Sequence, residues 1–175
     1  MLKGTKVLIK SIETKDINIL YNILSDEEVR KYDGAYIILP SRECIIENID
    51  KIRNNNKVKY LSIVNEKNIV IGYLTYRQAQ DAPNIYSLGI TVGKKFWHRG
   101  YGQDSINTIL KYLFLNRNAH RVELEVVELN KRAIKCYKKC GFKEEGIKKQ
   151  RYFVEGKYID VLIMAILKSE YMVND

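Results

Sequence analysis

Apolar positions along the chain follow two rhythms, one of strands and one of helices. Residues 7–12 read as a first strand. Ile17, Leu20, Tyr21 and Leu24 then recur at i, i+3, i+4 and i+7, the spacing of one helix face, with Thr14 placed to cap it. Pro40-Ser41 ahead of Glu43 opens a second helix that turns Ile45, Ile46 and Ile49 inward. After the polar break Asn54-Asn55-Asn56, extended segments over 59–64, 69–78 and 86–92 are joined by Asn65-Glu66-Lys67-Asn68 and Asp81-Ala82-Pro83-Asn84. Connections this short predict an antiparallel meander.

The second half changes character. A glycine-bearing loop over 93–100 leads into a helix carrying Ile106, Ile109, Leu110 and Leu113. A strand over 122–127 and a helix over 130–140 follow, the helix closed by Gly141 at its C′ position. Two strands come after Phe142, the second over 159–167, with a turn at Glu155-Gly156. A meander followed by strand, helix, strand, helix, strand predicts an α+β fold whose sheet is antiparallel first and mixed later.

Composition narrows the class. A length of 175 residues predicts one domain spanning 1–175. Hydrophobic residues at 46% and charged residues at 29% exclude long disorder, and only 2 prolines and 10 glycines exclude a collagen-like chain. The apolar run from Val161 to Leu167 is far short of the roughly 20 residues that a helix needs to cross a bilayer. The N-terminus lacks the apolar stretch of a secretory signal. Cys44, Cys136 and Cys140 are an odd set with no nearby histidine or carboxylate to complete a four-ligand site. Reduced thiols, no metal and a cytoplasmic location are therefore expected.

Thirty Lys and Arg against 21 Asp and Glu give a formal charge of +9, and the basic residues gather after Lys94. Such a surplus suits a polyanion: nucleic acid, an anionic membrane face or a phosphate-rich small molecule. One stretch favours the last. Around Phe96-Trp97-His98-Arg99-Gly100-Tyr101-Gly102 a strand passes into a helix. The first turn of a helix offers unpartnered N–H groups at the positive end of its dipole, and glycines let phosphate oxygens approach them. His98 and Arg99 could add side-chain donors. The fingerprint of dinucleotide-binding folds needs a third glycine, and Ser105 stands in its place.

A second set, Asn130, Ala133 and Tyr137, falls on one face of a helix. Alone it reads first as a cap and a core tyrosine, which are far commoner than catalytic residues. Together with the glycine loop, the block running from Asn130-Lys131-Arg132-Ala133 through Tyr137 to Cys140-Gly141-Phe142 resembles the GNAT superfamily of N-acetyltransferases. The branch it is most similar to holds the ribosomal-protein alanine and polyamine acetyltransferases, and Gly156-Lys157-Tyr158-Ile159-Asp160 fits that placement. The resemblance is strong from about Leu88 to Leu167 and general before it.

What the resemblance implies is specific. The fold would be α+β, a mixed and mostly antiparallel central sheet flanked by helices, with two parallel strands splayed apart to hold acetyl-CoA. The pyrophosphate would meet the amides of Trp97, His98, Arg99, Gly100, Tyr101, Gly102 and Gln103. The pantetheine would pair along Ile90, Thr91 and Val92 like an added strand. Asn130 and Ala133 would contact the cofactor, and Tyr137 would be the catalytic residue at the thioester sulfur. Backbone N–H groups at Ile90 and Thr91 are the expected donors to the oxyanion.

The acceptor the resemblance implies is a primary amine, and Glu28, Tyr32 and Ser87 are the candidates to meet it, with Asp26, Glu27, Glu28, Tyr32 and Asp33 on the first two helices offering an acidic wall. Many relatives carry Glu where Ser87 stands, so the general base is open: a water chain, Glu28, Glu125 or none. Two other classes remain: a basic nucleic-acid-binding module, with 13 tyrosines available to stack bases, and a GNAT-fold protein that binds acyl-CoA without turnover. No helix-turn-helix, zinc-finger or RNP-like wording supports nucleic acid. A homodimer through an edge strand is compatible with the fold.

Overall fold

The computed structural model describes residues 1–33, 39–55, 57–154 and 156–172. Two strands, β1 (Leu2–Lys3) and β2 (Val7–Ser11), open the chain. Four short helices follow: α1 (Ile17–Ser25), α2 (Glu27–Arg30), α3 (Arg42–Glu47) and α4 (Ile49–Arg53). The meander is β3 (Val58–Asn65), β4 (Val70–Gln78) and β5 (Ile85–Val92). Then come α5 (Tyr101–Lys111), β6 (Arg121–Val127), α6 (Lys131–Lys139), β7 (Lys143–Val154), β8 (Lys157–Leu167) and α7 (Lys168–Tyr171). The strands form one eight-stranded sheet in the order β1-β2-β3-β4-β5-β6-β8-β7. Every neighbouring pair is antiparallel except β5 and β6. The sheet is therefore antiparallel first and mixed later, as the pattern predicts.

Alternation along the strands buries both faces of the sheet. Val64 and Val70 pack with Ile17 and Leu20 of α1 and Ile49 of α4 on one face. Ile63 and Ile71, their immediate neighbours, pack with Ile106, Ile109 and Leu110 of α5 and Ile134 of α6 on the other. Among the described residues no helix is long and apolar enough to cross a membrane.

Several local expectations are met and some are corrected. Ser41 caps α3, its Oγ accepting from the Cys44 N–H at 3.1 Å. Gly141 ends α6 with φ +92°. Thr14 does not cap α1: a 3-10 turn, Thr14–Asp16, precedes the helix. The buried Asp16 carboxylate accepts from the Glu13 N–H at 3.0 Å and from the Ser62 hydroxyl at 2.7 Å. That leaves the Thr14 hydroxyl to accept from Arg53. The acidic run is the start of α2, because the Asp26 carboxylate accepts from the N–H groups of Glu28 and Val29. The second apolar helix is broken in two at Asn48. At the turn into β8, Gly156 has φ +80°, while Glu155 lies outside the described residues.

Candidate active site

The cleft begins where two strands part. β5 and β6 pair only at Ile85↔Arg121, Tyr86↔Val122 and Ser87↔Glu123. Beyond Ser87 each continues with its own other neighbour, β5 on β4 and β6 on β8. Hydrogen bonds at both ends fix which groups of β5 look into the gap. Ala79 N–H donates to Ile85 O at 2.8 Å and Gly93 N–H to Ile71 O at 2.9 Å. In an unbroken antiparallel register the bonded pairs alternate, so Thr91 pairs its backbone with Tyr73 of β4. The N–H and C=O groups of Ile90 and Val92 consequently face the opening. The expectation that the Thr91 amide donates to an oxyanion is corrected here: that group belongs to the β4 ladder.

Beyond β5 the chain turns through Lys94–Phe96, a 3-10 turn, and reaches α5 by two residues in left-handed conformation, His98 with φ +60° and Gly100 with φ +83°. Gly100 is the N-cap of α5 and has no side chain to cap it. No backbone N–H from residues 98–103 donates to an acceptor among the described residues. The Trp97 amide is not part of this set, since it donates to Lys94 O at 3.2 Å. A carboxylate anchors the loop from behind: Asp104 accepts from the N–H groups of Thr5, Lys6 and Val7 at 3.1, 2.7 and 3.0 Å. Tyr101 turns its ring into the core, where its hydroxyl donates to Glu66 at 2.8 Å.

The facing wall is the first turns of α6. Asn130 caps that helix, its Oδ1 accepting from the Ala133 N–H at 3.1 Å. Asn130, Ala133 and Tyr137 all line a cavity of about 620 Å³ that also touches Ile90, Thr91, Val92, Gly100, Gly102 and Gln103. Burial, with the neighbouring Cys136 and Asp33 adding to it, pushes the Tyr137 phenol well above its ordinary range. Cys136 also lines the cavity, and its thiol is lowered chiefly by a hydrogen bond from Cys140. Trp97, His98 and Tyr32 close one end. The Trp97 indole N–H donates to Val92 O at 2.6 Å, Arg132 lies 3.3 Å from the indole ring centroid, and Tyr32 meets that ring edge-on at 6.3 Å.

Three candidates from the sequence are not on this wall. Arg99 is exposed and absent from the lining, its carbonyl held instead by Lys6 Nζ at 3.0 Å. Glu28 is also absent and pairs with Lys31 at 3.3 Å. Capping by Asp26 turns Val29 to the sheet, and one residue back along a helix is about 100° away. Ser87 stands before the splay, paired to both β4 and β6, with its hydroxyl toward Arg77 O. Glu125 does line the cavity, ion-paired to Lys148 of β7.

Asp33 is the residue that sequence reasoning passed over, one of five in an acidic wall. It lines the cavity and accepts from the Thr91 hydroxyl at 2.7 Å and the Tyr73 hydroxyl at 3.1 Å. Burial raises its carboxyl above the usual range, against the two hydroxyl donors that lower it.

A groove of free amides at a helix start, beside the unpaired edge of a splayed strand, can hold a phosphorylated chain lying along β5. The family model of the acetyltransferase (GNAT) domain matches residues 6–143. The chain belongs to the GNAT acetyltransferases. It is 25% identical over 169 residues to an N-acetyltransferase of Bacillus licheniformis called p20, covering 95% of each chain. To the spermidine N(1)-acetyltransferase of Vibrio cholerae it is 24% identical over 171 residues, 97% of each chain. The solved structure of the Vibrio cholerae spermidine N-acetyltransferase with CoA and spermine superposes with a TM-score of 0.87 over 97% of this chain and 99% of that one, at 24% identity. A Bacillus anthracis acetyltransferase of the GNAT family gives 0.83 at 22% identity, over 97% and 99%. As a GNAT acetyltransferase the chain is an acyl-transfer enzyme. Among the described residues no cluster of three or more His, Cys, Asp or Glu could hold a metal ion.

Proposed function

We propose that this acetyltransferase moves the acetyl group of acetyl-CoA to a primary amine, a small amine or polyamine or a peptide N-terminus, by direct attack on the thioester. The observation that carries it is the run of free amides at residues 98–103 against the open edge of β5 at Ile90 and the Val92 N–H, the Val92 carbonyl being taken by the Trp97 indole. The residues present fit the cofactor. Gly100 and Gly102 leave the amides uncovered, and the left-handed turn at His98 and Gly100 aims them at the groove.

When bound, acetyl-CoA supplies an activated acyl carbon and a leaving thiolate. The amides of residues 98–103 hold its pyrophosphate, and the edge groups of Ile90 with the Val92 N–H pair with its pantetheine. The Ile90 N–H is the donor to the developing oxyanion, a kind of bond whose loss costs about 3 kcal/mol of barrier. Asn130 and Ala133 line the cofactor from the opposite wall, and Tyr137 meets the sulfur. A free thiol titrates near 8.5 and a free phenol near 10, so proton transfer from an unshifted tyrosine is uphill by about 2 kcal/mol. Burial of Tyr137 makes that worse. Its hydroxyl therefore acts by a hydrogen bond that strengthens as charge builds on sulfur.

The spermidine acetyltransferase among the relatives supports a polyamine as acceptor. Tyr32 on the cavity wall is the acceptor-side residue retained from the sequence, whereas Glu28 and Ser87 are not. A cytoplasmic location, in keeping with three unpaired cysteines, and a homodimer belong to the same proposal. β7 is an edge strand carrying exposed Ile147 and Phe153. The test is a panel of polyamines, simple primary amines and peptides assayed for release of free CoA thiol. Acetyl-CoA-dependent release with at least one amine is expected, and none across the panel would remove the proposal.

A further inference from the structure

Asp33 lines the cleft with a feature the cofactor does not explain. Asp33 is half-buried, and the described groups that bear on its charge are two hydroxyls, from Thr91 and Tyr73. None of the ion pairs among the described residues includes it. Residues 34–38, which follow it, contain no basic side chain. A carboxylate drawn partly out of water favours a cation partner or a proton, because desolvating the charge alone is costly. This one faces a cavity shared with Tyr137 and is aimed by donors from two adjacent strands.

We propose that Asp33 is the catalytic base of this site, binding the ammonium of the incoming amine and taking its proton. The proposal rests on the acetyl-transfer function above and fills the role that Ser87 cannot. Asp33 accepts one proton from the ammonium, which frees the nitrogen lone pair. That nitrogen forms a bond to the acyl carbon as the carbon–sulfur bond breaks, with the electron pair leaving on sulfur. The second nitrogen proton passes to the thiolate, giving amide and free CoA thiol, and Asp33 returns its proton to solvent. No oxidant or further reactant enters.

Geometry and charge agree with the role. Thr91 is held by its backbone in the β4 ladder, so its hydroxyl is fixed relative to the cleft. The carboxyl is raised by burial, which brings a carboxylate toward the pH where a base is effective. The titratable groups that share its cavity or bond to it include Tyr73 on β4, Tyr32 beside it, His98 of the loop, Glu125 on β6, and Arg132, Cys136 and Tyr137 on α6. Tyr73 and Tyr137 are both pushed upward by burial and Arg132 remains a cation, so none of these three loses a proton in the same window.

The experiment uses the full chain and two variants, Asp33→Asn and Thr91→Val, with acetyl-CoA affinity and kcat/KM for spermidine measured across pH. Asp33→Asn should bind acetyl-CoA as the parent does and lose roughly 100-fold or more in kcat/KM, together with its acid limb. A weakly basic aromatic amine, already unprotonated, should lose much less. Thr91→Val removes a hydrogen bond to the charged form and should move the acid limb to higher pH. Asp33→Asn with full kcat/KM and an unchanged acid limb would overturn the proposal while leaving acetyl transfer intact. Failure of the parent chain to bind acetyl-CoA at all would remove both.

Discussion

The Arg132 guanidinium lies 3.3 Å from the centroid of the Trp97 ring, whose own N–H is tied to Val92 O at 2.6 Å. One contact thus links α6 to the strand and loop on the other side of the cleft, and the ring between them is the only tryptophan in the chain. Its emission is accordingly a reporter on the groove. Titration with acetyl-CoA should change Trp97 fluorescence saturably, and binding seen by calorimetry with no change in emission would put the cofactor elsewhere. Half-buried cation–ring pairs contribute about 1 kcal/mol, so Arg132→Ala should lower the unfolding free energy measured in urea by that order.

Gly100 and Gly102 serve the loop for different reasons, and alanine separates them. At Gly100 the φ of +83° strains any side chain, and a Cβ would also stand 3.2 Å from Lys6 Nζ. Gly100→Ala should cost about 1–2 kcal/mol of stability. At Gly102 a Cβ has room, its nearest neighbour being Cys136 Sγ at 3.8 Å. Gly102→Ala should fold at least as stably as the parent, with roughly a tenfold loss in acetyl-CoA affinity from covering the amides. Equal affinities for Gly102→Ala and the parent would mean that the phosphates do not lie there.

Tyr137→Phe keeps the ring that packs on Phe142 with centroids 5.9 Å apart and removes only the hydroxyl. Turnover should fall roughly 100-fold while acetyl-CoA affinity stays within a small factor. Because burial raises this phenol, the parent's rate should show no alkaline limb from Tyr137 below about pH 10. Near-normal turnover in the variant takes Tyr137 out of the mechanism.

Asp33 also makes a prediction about stability that needs no substrate. Its folded carboxyl binds protons more tightly than its unfolded one, so the free protein loses stability as pH rises from the unfolded value of 3.8 through the raised folded one. Asp33→Asn cannot ionise and escapes that loss. The difference in melting temperature, variant minus parent, should be more positive at pH 7 than at pH 4. A difference that does not change with pH would mean that the carboxyl is not raised in the folded chain.

Much of the fold can be read from spacing because the forces that set it act over a few residues. The i, i+3, i+4, i+7 pattern from Ile17 picks out α1, and Gly141 ends α6 because only glycine takes φ +92° without strain. The glycine loop was legible for the same reason. Thr14 misled because Asp16, two residues on, stands at the N-cap position of α1, and its carboxylate turns instead to the Glu13 N–H and to Ser62, 46 residues away. Asp33 was one acid among several in the sequence, since its burial depends on Tyr73 and Thr91, 40 and 58 residues distant.

By itself, then, the order of residues determined most of the strands and helices, the α+β class and the helix start at Gly100, all matters of dihedral preference and periodicity. Tertiary structure alone decided where β5 leaves β6, that the Trp97 indole N–H closes on Val92 O, and that Asp33, not Glu28 or Ser87, lines the cavity. Those outcomes turn on which distant groups exclude water from a side chain or claim its hydrogen bond, and packing settles that through space, not along the chain.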